Sequence, residues 1–191
     1  MIATLPDIRS QRGLRPGRLL VDDAHSAVLF SIRHLGLSRV RGRFDRFEAT
    51  LDVGPSLAET RVEATIDLAS IDTNNVDRDA HLRSSDFFAV DRHPTMRFVS
   101  TAITGTGSRW RIVGDLALND RIRPIDLDAE SHGTQEIPGQ NRIYAGFSAT
   151  GRLRRSAFGI DFGIMPLGTD MLALGDEVEI ELDLEFVEPR G

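Results

Sequence analysis

The side chains best equipped for chemistry are His25, His34, His81 and His93, and the cluster Arg78, Asp79 and His81. A metal centre would need the histidines as an i,i+4 helical pair or at short paired spacing, and they have neither. The chain also has no cysteine, which removes thiolate ligands, cysteine nucleophiles and disulfides. No metal site is therefore expected. His25-Ser26 among many aspartates invites comparison with a hydrolase, yet the Gly-x-Ser-x-Gly elbow is missing, and adjacent strand residues point to opposite faces. No catalytic residue is assigned.

Arg78 offers a fixed fork of donors suited to an anionic or carbonyl headgroup, or alternatively a partner for Asp79 or Asp72. His81 reads as a hydrogen-bonded histidine locking its helix in place, with a headgroup contact as the second choice. Arg154-Arg155 could meet a phosphate, although charges beside a Phe-Gly turn suit an exposed rim better.

These residues must be held by local structure. The run from Asp72 to Phe88 has the polarity and length of a short helix laid over something, starting at Asn74 as the cap and ending before Pro94, with the helix spanning about 75–89. Around it the dominant signal is period two. Val28, Phe30 and Ile32 alternate with small or polar neighbours, as do Val62, Ala64, Ile66 and Leu68, then Met96, Phe98 and Ser100. Trp110 to Leu118, Ile125 to Ala129 and Ile143 to Gly151 repeat the pattern. Val178, Ile180, Leu182, Leu184 and Phe186 alternate with acids from Glu177 to Glu185, an outward row that blunts edge pairing. The phase slips by one residue near Asp45-Arg46, where a bulge would restore one inward face.

About eight strands with short turns and one helix exclude a parallel α/β sheet. A sandwich satisfies the same periodicity, but closure removes sheet edges, so the fold expected is all-β: an antiparallel eight-stranded barrel wide enough for one small ligand. Residues 1–17, arginine-rich and without an apolar stretch, read as a disordered tail, and 18–188 as a single domain. The 191-residue chain carries a formal charge of −6 and no basic, aromatic-laced stripe, so nucleic acid is not an expected partner. No transmembrane segment or secretory signal is visible, and a cytoplasmic location is expected.

Phe30, Ile32, Phe44, Phe98 and Phe147 fall on bulky strand faces, while Phe87, Phe88 and Phe158 stand at the helix end or rim. They could simply fill a core. Gly42, Ala64, Ala145, Ala149 and Gly151 on the same interior suggest instead that volume is left over, and an unfilled apolar barrel is a lipid site.

Several segments, in order along most of the chain, carry a resemblance. They are Asp22-Asp23-Ala24-His25-Ser26, Val40-Arg41-Gly42-Arg43-Phe44, Arg78-Asp79-Ala80-His81-Leu82, Asp86-Phe87-Phe88, His93-Pro94, Gly146-Phe147 and Phe158-Gly159. In these the chain resembles the YceI-like family of lipocalin-like, polyisoprenoid-binding barrels, from about Arg18 to Val187. The resemblance implies a helix near one barrel end and a long apolar tunnel for an isoprenoid or similar lipid. Together with the strand faces and helix chemistry read above, the ligand contacts expected are Phe30, Ile32, Phe44, Phe87, Phe88, Phe98, Phe147, Phe158, Arg78 and His81. No cofactor is implied beyond the bound isoprenoid or fatty lipid, and a homodimer is left open.

Two departures stand out. Leu19-Leu20 replaces an aromatic common in the first strand, and Asn119 to Pro124 replaces a glycine-bearing turn. Many relatives look exported, whereas this chain shows no signal. The function expected is non-enzymatic lipid binding. The alternatives are an enzyme using His81 or Asp79 as a proton carrier on a bound lipid, and a ligand-free protein-interaction module.

Overall fold

The computed structural model describes residues 13–139, 142–163 and 173–189. The strands are β1 (Gly17–Val21), β2 (Ala27–His34), β3 (Ser38–Phe44), β4 (Phe47–Val53), β5 (Arg61–Asp67), β6 (Ile71–Asp72), β7 (Thr95–Thr106), β8 (Arg109–Leu118), β9 (Arg121–Glu136), β10 (Ile143–Arg154) and β11 (Leu174–Val187). One helix, α1 (Val76–Arg83), lies between β6 and β7. The antiparallel order β1-β4-β5-β7-β8-β9-β10-β11 closes when β11 meets β1 at Leu20↔Val187 and Val21↔Phe186. The result is the expected closed eight-stranded barrel.

The other three strands continue its wall. β2 pairs with β11 and β3, and β3 pairs at its end with β6, so β1 and β2 act as two halves of one wall strand, as do β3 and β4. The first break is the 3-10 turn Asp23–His25, where the Asp22 side chain accepts from Ala24 N. The second falls between Phe44 and Phe47, at the expected phase slip. There Asp45 N donates to Ser70 O at 3.1 Å and Arg46 N to Ser70 Oγ at 3.0 Å, so Ser70 satisfies the amides that leave the ladder. Tight turns hold the remaining register. Asn119 and Asp120, both at positive φ (49° and 58°), turn β8 into β9 without glycine, because Asn and Asp tolerate that region better than other side chains.

The helix differs from the reading in both its limits. Asn75 is the cap, accepting from Arg78 N at 2.9 Å, whereas Asn74 takes a left-handed φ of 59° that turns the chain into position. At the other end α1 stops at Arg83, because the Ser84 amide and hydroxyl both turn back onto His81 O at 3.0 and 2.8 Å. Phe87 and Phe88 therefore lie on turns, with Phe88 N donating to Leu82 O at 3.1 Å. The boundary drawn for the tail also falls late: Leu14, 1% exposed, already belongs to the core.

Because the wall strands alternate in direction, one barrel end collects the β2–β3 hairpin, residues 68–94 with α1, the β8–β9 turn and the described part of the β10–β11 connection. We call this the helix end. Among the described residues no helix is long and apolar enough to cross a membrane.

Candidate functional site

Inside the barrel lies a cavity of about 690 Å³. Period-two alternation builds it, since each strand turns one row inward: Val28, Phe30 and Ile32 from β2, and Val178, Ile180, Leu182, Leu184 and Phe186 from β11 all line it. Nine of the ten residues named from the sequence are on its wall: Phe30, Ile32, Phe44, Phe87, Phe88, Phe98, Phe147, Arg78 and His81. Phe158 is not. It is 1% exposed and packs into the core beneath the 3-10 turn Arg155–Phe158, where Gly159 at φ 77° ends the turn.

The aromatic rings form three groups, one of them Phe87 with Phe162 at 5.1 Å beside His81. Phe44 joins Phe30 at 5.6 Å and Phe88 at 6.1 Å, while Phe147 joins Trp110 at 5.3 Å and Phe186 at 5.9 Å between centroids. Short side chains at Ala49, Ala64, Ala129 and Ala149 leave room along the wall.

The glycines expected to add volume do not. A Cβ on Gly42 would stand 2.4 Å from Phe30 Cζ, and one on Gly151 2.6 Å from Leu127 Cδ2. Each glycine is covered by the residue directly opposite it on the next strand. Gly114 is covered diagonally across the β7–β8 pair by Phe98, whose Cζ would be 2.3 Å from an added Cβ. Ala145 is fully buried but lies off the cavity wall.

Charge at the helix end is organised by Thr73. The buried Asp79 carboxylate accepts from Thr73 N at 2.9 Å and from Thr73 Oγ1, while Arg78 donates through Nε to Thr73 Oγ1 and through Nη2 to Thr73 O, both at 2.7 Å. The expected pairing of Arg78 with Asp79 or Asp72 is therefore replaced by a shared threonine. Side-chain direction on a helix and the path of the preceding turn decide this, and neither is visible in spacing.

His81 is hydrogen-bonded as expected, but to a neighbour in its own segment rather than to the barrel. Its Nε2 meets Asp86 Oδ2 at 2.9 Å, and its ring stands edge-on to Phe87 and Phe162, with centroids at 5.1 and 4.8 Å. The helix is locked instead by Arg83, which donates to Ala69 O at 2.9 Å and Ile71 O at 2.8 Å.

Arg155, read as a rim residue, is 4% exposed. It donates to Gly175 O at 2.8 Å, Ile160 O at 3.0 Å, Phe162 O at 2.7 Å and Leu174 O at 3.1 Å, clamping both described ends of the β10–β11 connection. Burial lowers its pKa from the usual arginine value, opposed by the nearby charges of Asp176 and Asp161.

The His-Ser pair near the start is a staple. Ser26 Oγ accepts from Glu185 N at 2.9 Å, and Asp22 N donates to Glu185 O at 2.8 Å. Beside it, His25 Nδ1 lies 3.2 Å from Asp22 Oδ2 and 3.8 Å from Glu185 Oε1, and its pKa is raised, first by the hydrogen bond to Asp22 and then by the two carboxylate charges. Two functional positions went unread in the sequence, Phe162 on the cavity wall and Arg155 as its clamp. The second Phe-Gly pair, Phe162-Gly163, is the signal that could have marked the first.

With that geometry in place, comparison with known proteins is direct. Residues 20–186 match the family model described as the YceI-like domain. A UPF0312 protein of Staphylococcus epidermidis is 36% identical over 166 residues, covering 86% of this chain and 94% of the relative. The crystal structure of the Campylobacter jejuni YCEI protein superposes with a TM-score of 0.70 at 28% identity, covering 83% of this chain and 91% of that one. A structure described as a polyisoprenoid binding domain from Saccharophagus degradans shares the fold, with a TM-score of 0.65 at 16% identity over 92% of this chain and all of its own.

Proposed function

This chain belongs to the YceI-like family, and we propose that it holds a single long hydrophobic chain, an isoprenoid or similar lipid, without chemically altering it. The observation that carries the reading is the cavity of about 690 Å³ with an almost wholly apolar wall. That volume lies within the range of small-molecule sites, about 300–1,000 Å³. Burying ten to twenty methylenes at about 0.8 kcal/mol each supplies roughly 8–16 kcal/mol gross, ample after ordering costs. The description of the Saccharophagus domain as polyisoprenoid binding supports the class of ligand.

Arg78 is the proposed headgroup contact. Its Nε and Nη2 are held on Thr73, which leaves Nη1 to meet an acceptor at the cavity wall. The test is native mass spectrometry of the purified protein followed by organic extraction, with loading of a fluorescent alkyl probe in solution. A co-purifying lipid displaced by the probe is expected. Arg78→Ala should weaken an anionic-headed lipid about tenfold more than its neutral analogue. A protein that neither carries nor takes up an alkyl chain would refute the reading.

A further inference from the structure

Six large apolar side chains are prominently exposed among the described residues, and four of them stand at the helix end: Leu37 (80%), Val76 (83%), Ile122 (61%) and Phe162 (48%). They come from the β2–β3 hairpin, the first turn of α1, the start of β9 and the turn after Arg155–Phe158. The opposite end presents Ile137, and Leu20 lies on β1. At the helix end His34, Ser38, Arg78, His81, Phe162 and Leu174 line the cavity, so the exposed apolar residues crown its mouth.

We propose that this end seats on the surface of a lipid bilayer, with the crown entering the acyl boundary, so that a chain passes between bilayer and cavity without crossing water. The inference rests on the lipid-holding reading above. A hydrophobic chain leaving a bilayer through solvent would expose every methylene at once, and a mouth in contact with the bilayer removes that barrier. The crown also suits a fluid partner better than a folded one. Four side chains on four elements do not form the contiguous face of about 800 Å² per partner that a standard protein interface buries. Exposed charges at this end carry both signs, Arg33, Arg39 and Arg121 beside Asp77 and Asp161, so apolar insertion rather than attraction to anionic lipid drives the contact.

The test uses the full chain with phosphatidylcholine vesicles in a sedimentation assay at about 0.1 M and about 1 M salt, which shortens the screening length from about 10 Å to about 3 Å. Binding at both salt levels is expected. The combined variant Leu37→Ser, Val76→Ser, Ile122→Ser should lower the partition coefficient by about tenfold or more. Ile137→Ser at the far end should leave it unchanged. None of the three substituted residues lines the cavity, so alkyl-probe loading in vesicle-free solution should match the parent. The proposal is overturned by no sedimentation, by binding lost in high salt, or by equal loss with Ile137→Ser. It is also overturned by a dimer in ultracentrifugation that the triple variant disperses, which would assign the crown to a second copy. If loading in solution fails while vesicle binding persists, the lipid-holding reading falls and the docking stands.

Discussion

Removing the acceptor on Asp79 should loosen the helix from the barrel by a calculable amount. The carboxylate is 7% exposed, and its Oδ1 takes the Thr73 amide and hydroxyl, the same threonine that carries Arg78. Asp79→Asn keeps an oxygen in place but turns two charge-assisted bonds into neutral ones, each weaker by about 1 kcal/mol, for a loss of about 1–3 kcal/mol. Asp79→Ala removes the acceptor altogether and strands two buried donors, for a loss of about 2–5 kcal/mol. In a chain of this size each kcal/mol moves the melting temperature by about 2–4 °C, so the asparagine variant should melt about 2–12 °C lower and the alanine variant lower still. Calorimetric melts of the three proteins provide the measurement. An asparagine variant melting with the parent, or an alanine variant milder than asparagine, would show that Thr73 does not depend on Asp79. Alkyl-probe loading measured well below the melts should change little, because Asp79 touches Thr73 and not the cavity.

Ala64→Phe, on the cavity wall between Ala49 and Phe98 of the flanking strands, should cut alkyl-probe loading at least about tenfold while the protein still melts cooperatively. Ala145→Phe, fully buried away from the wall, should instead cost about 1–3 kcal/mol by overpacking, and equal behaviour of the two variants in loading and melting assays would contradict the cavity's placement. Arg155→Leu leaves four carbonyls without their donor and should lower stability by about 3–5 kcal/mol in denaturant titration, whereas a change under 1 kcal/mol would refute the clamp. His25 should titrate above its ordinary value of 6.5 by NMR, and Asp22→Asn should bring it back toward that value. Since its folded pKa is raised, its contribution to stability is complete below about pH 6.5 and lost as pH climbs through the folded value, and melts of His25→Gln against the parent across that window should converge at the alkaline side.

Much of the barrel was legible in the chain because a half-buried strand writes its two faces into alternate residues. Val28, Phe30 and Ile32, and Val178 to Phe186, were placed on the inner wall by that rule alone, and the phase slip at Asp45-Arg46 marked the break between β3 and β4. What stayed hidden depends on neighbours distant in sequence. Gly42 and Gly151 looked like spare room because nothing in their own segments reveals that Phe30 and Leu127 lie across from them. The two asparagines before α1 are equally good caps on composition, and the left-handed φ of Asn74 chooses between them. Arg155 resembled any charged rim residue, since two of the four carbonyls it satisfies, those of Leu174 and Gly175, come from the far side of a connection that spacing does not fold. Phe158 and Phe162 sit four residues apart on successive turns, yet one packs into the core and the other faces the mouth, a distinction made by the clamp rather than by either phenylalanine.

The rings laid over Gly42 and Gly114 tie the history of each position to that of another. With Phe30 Cζ and Phe98 Cζ at 2.4 and 2.3 Å from the place of a β-carbon, even alanine at either glycine requires its phenylalanine to move. Shrinking the phenylalanine first would bare a strip of backbone and widen the bore; enlarging the glycine first would collide. The coupling reaches a third group at each site, since an added β-carbon would also stand 2.8 Å from Thr73 Cγ2 at Gly42 and 2.7 Å from the Val99 carbonyl oxygen at Gly114, and Gly42→Ala should be tolerated best where Phe30→Leu is joined by Thr73→Ser. The calibre of the bore is therefore inherited in small groups of touching residues, which makes it resistant to drift by single substitutions and open to abrupt revision when the members of a group move together.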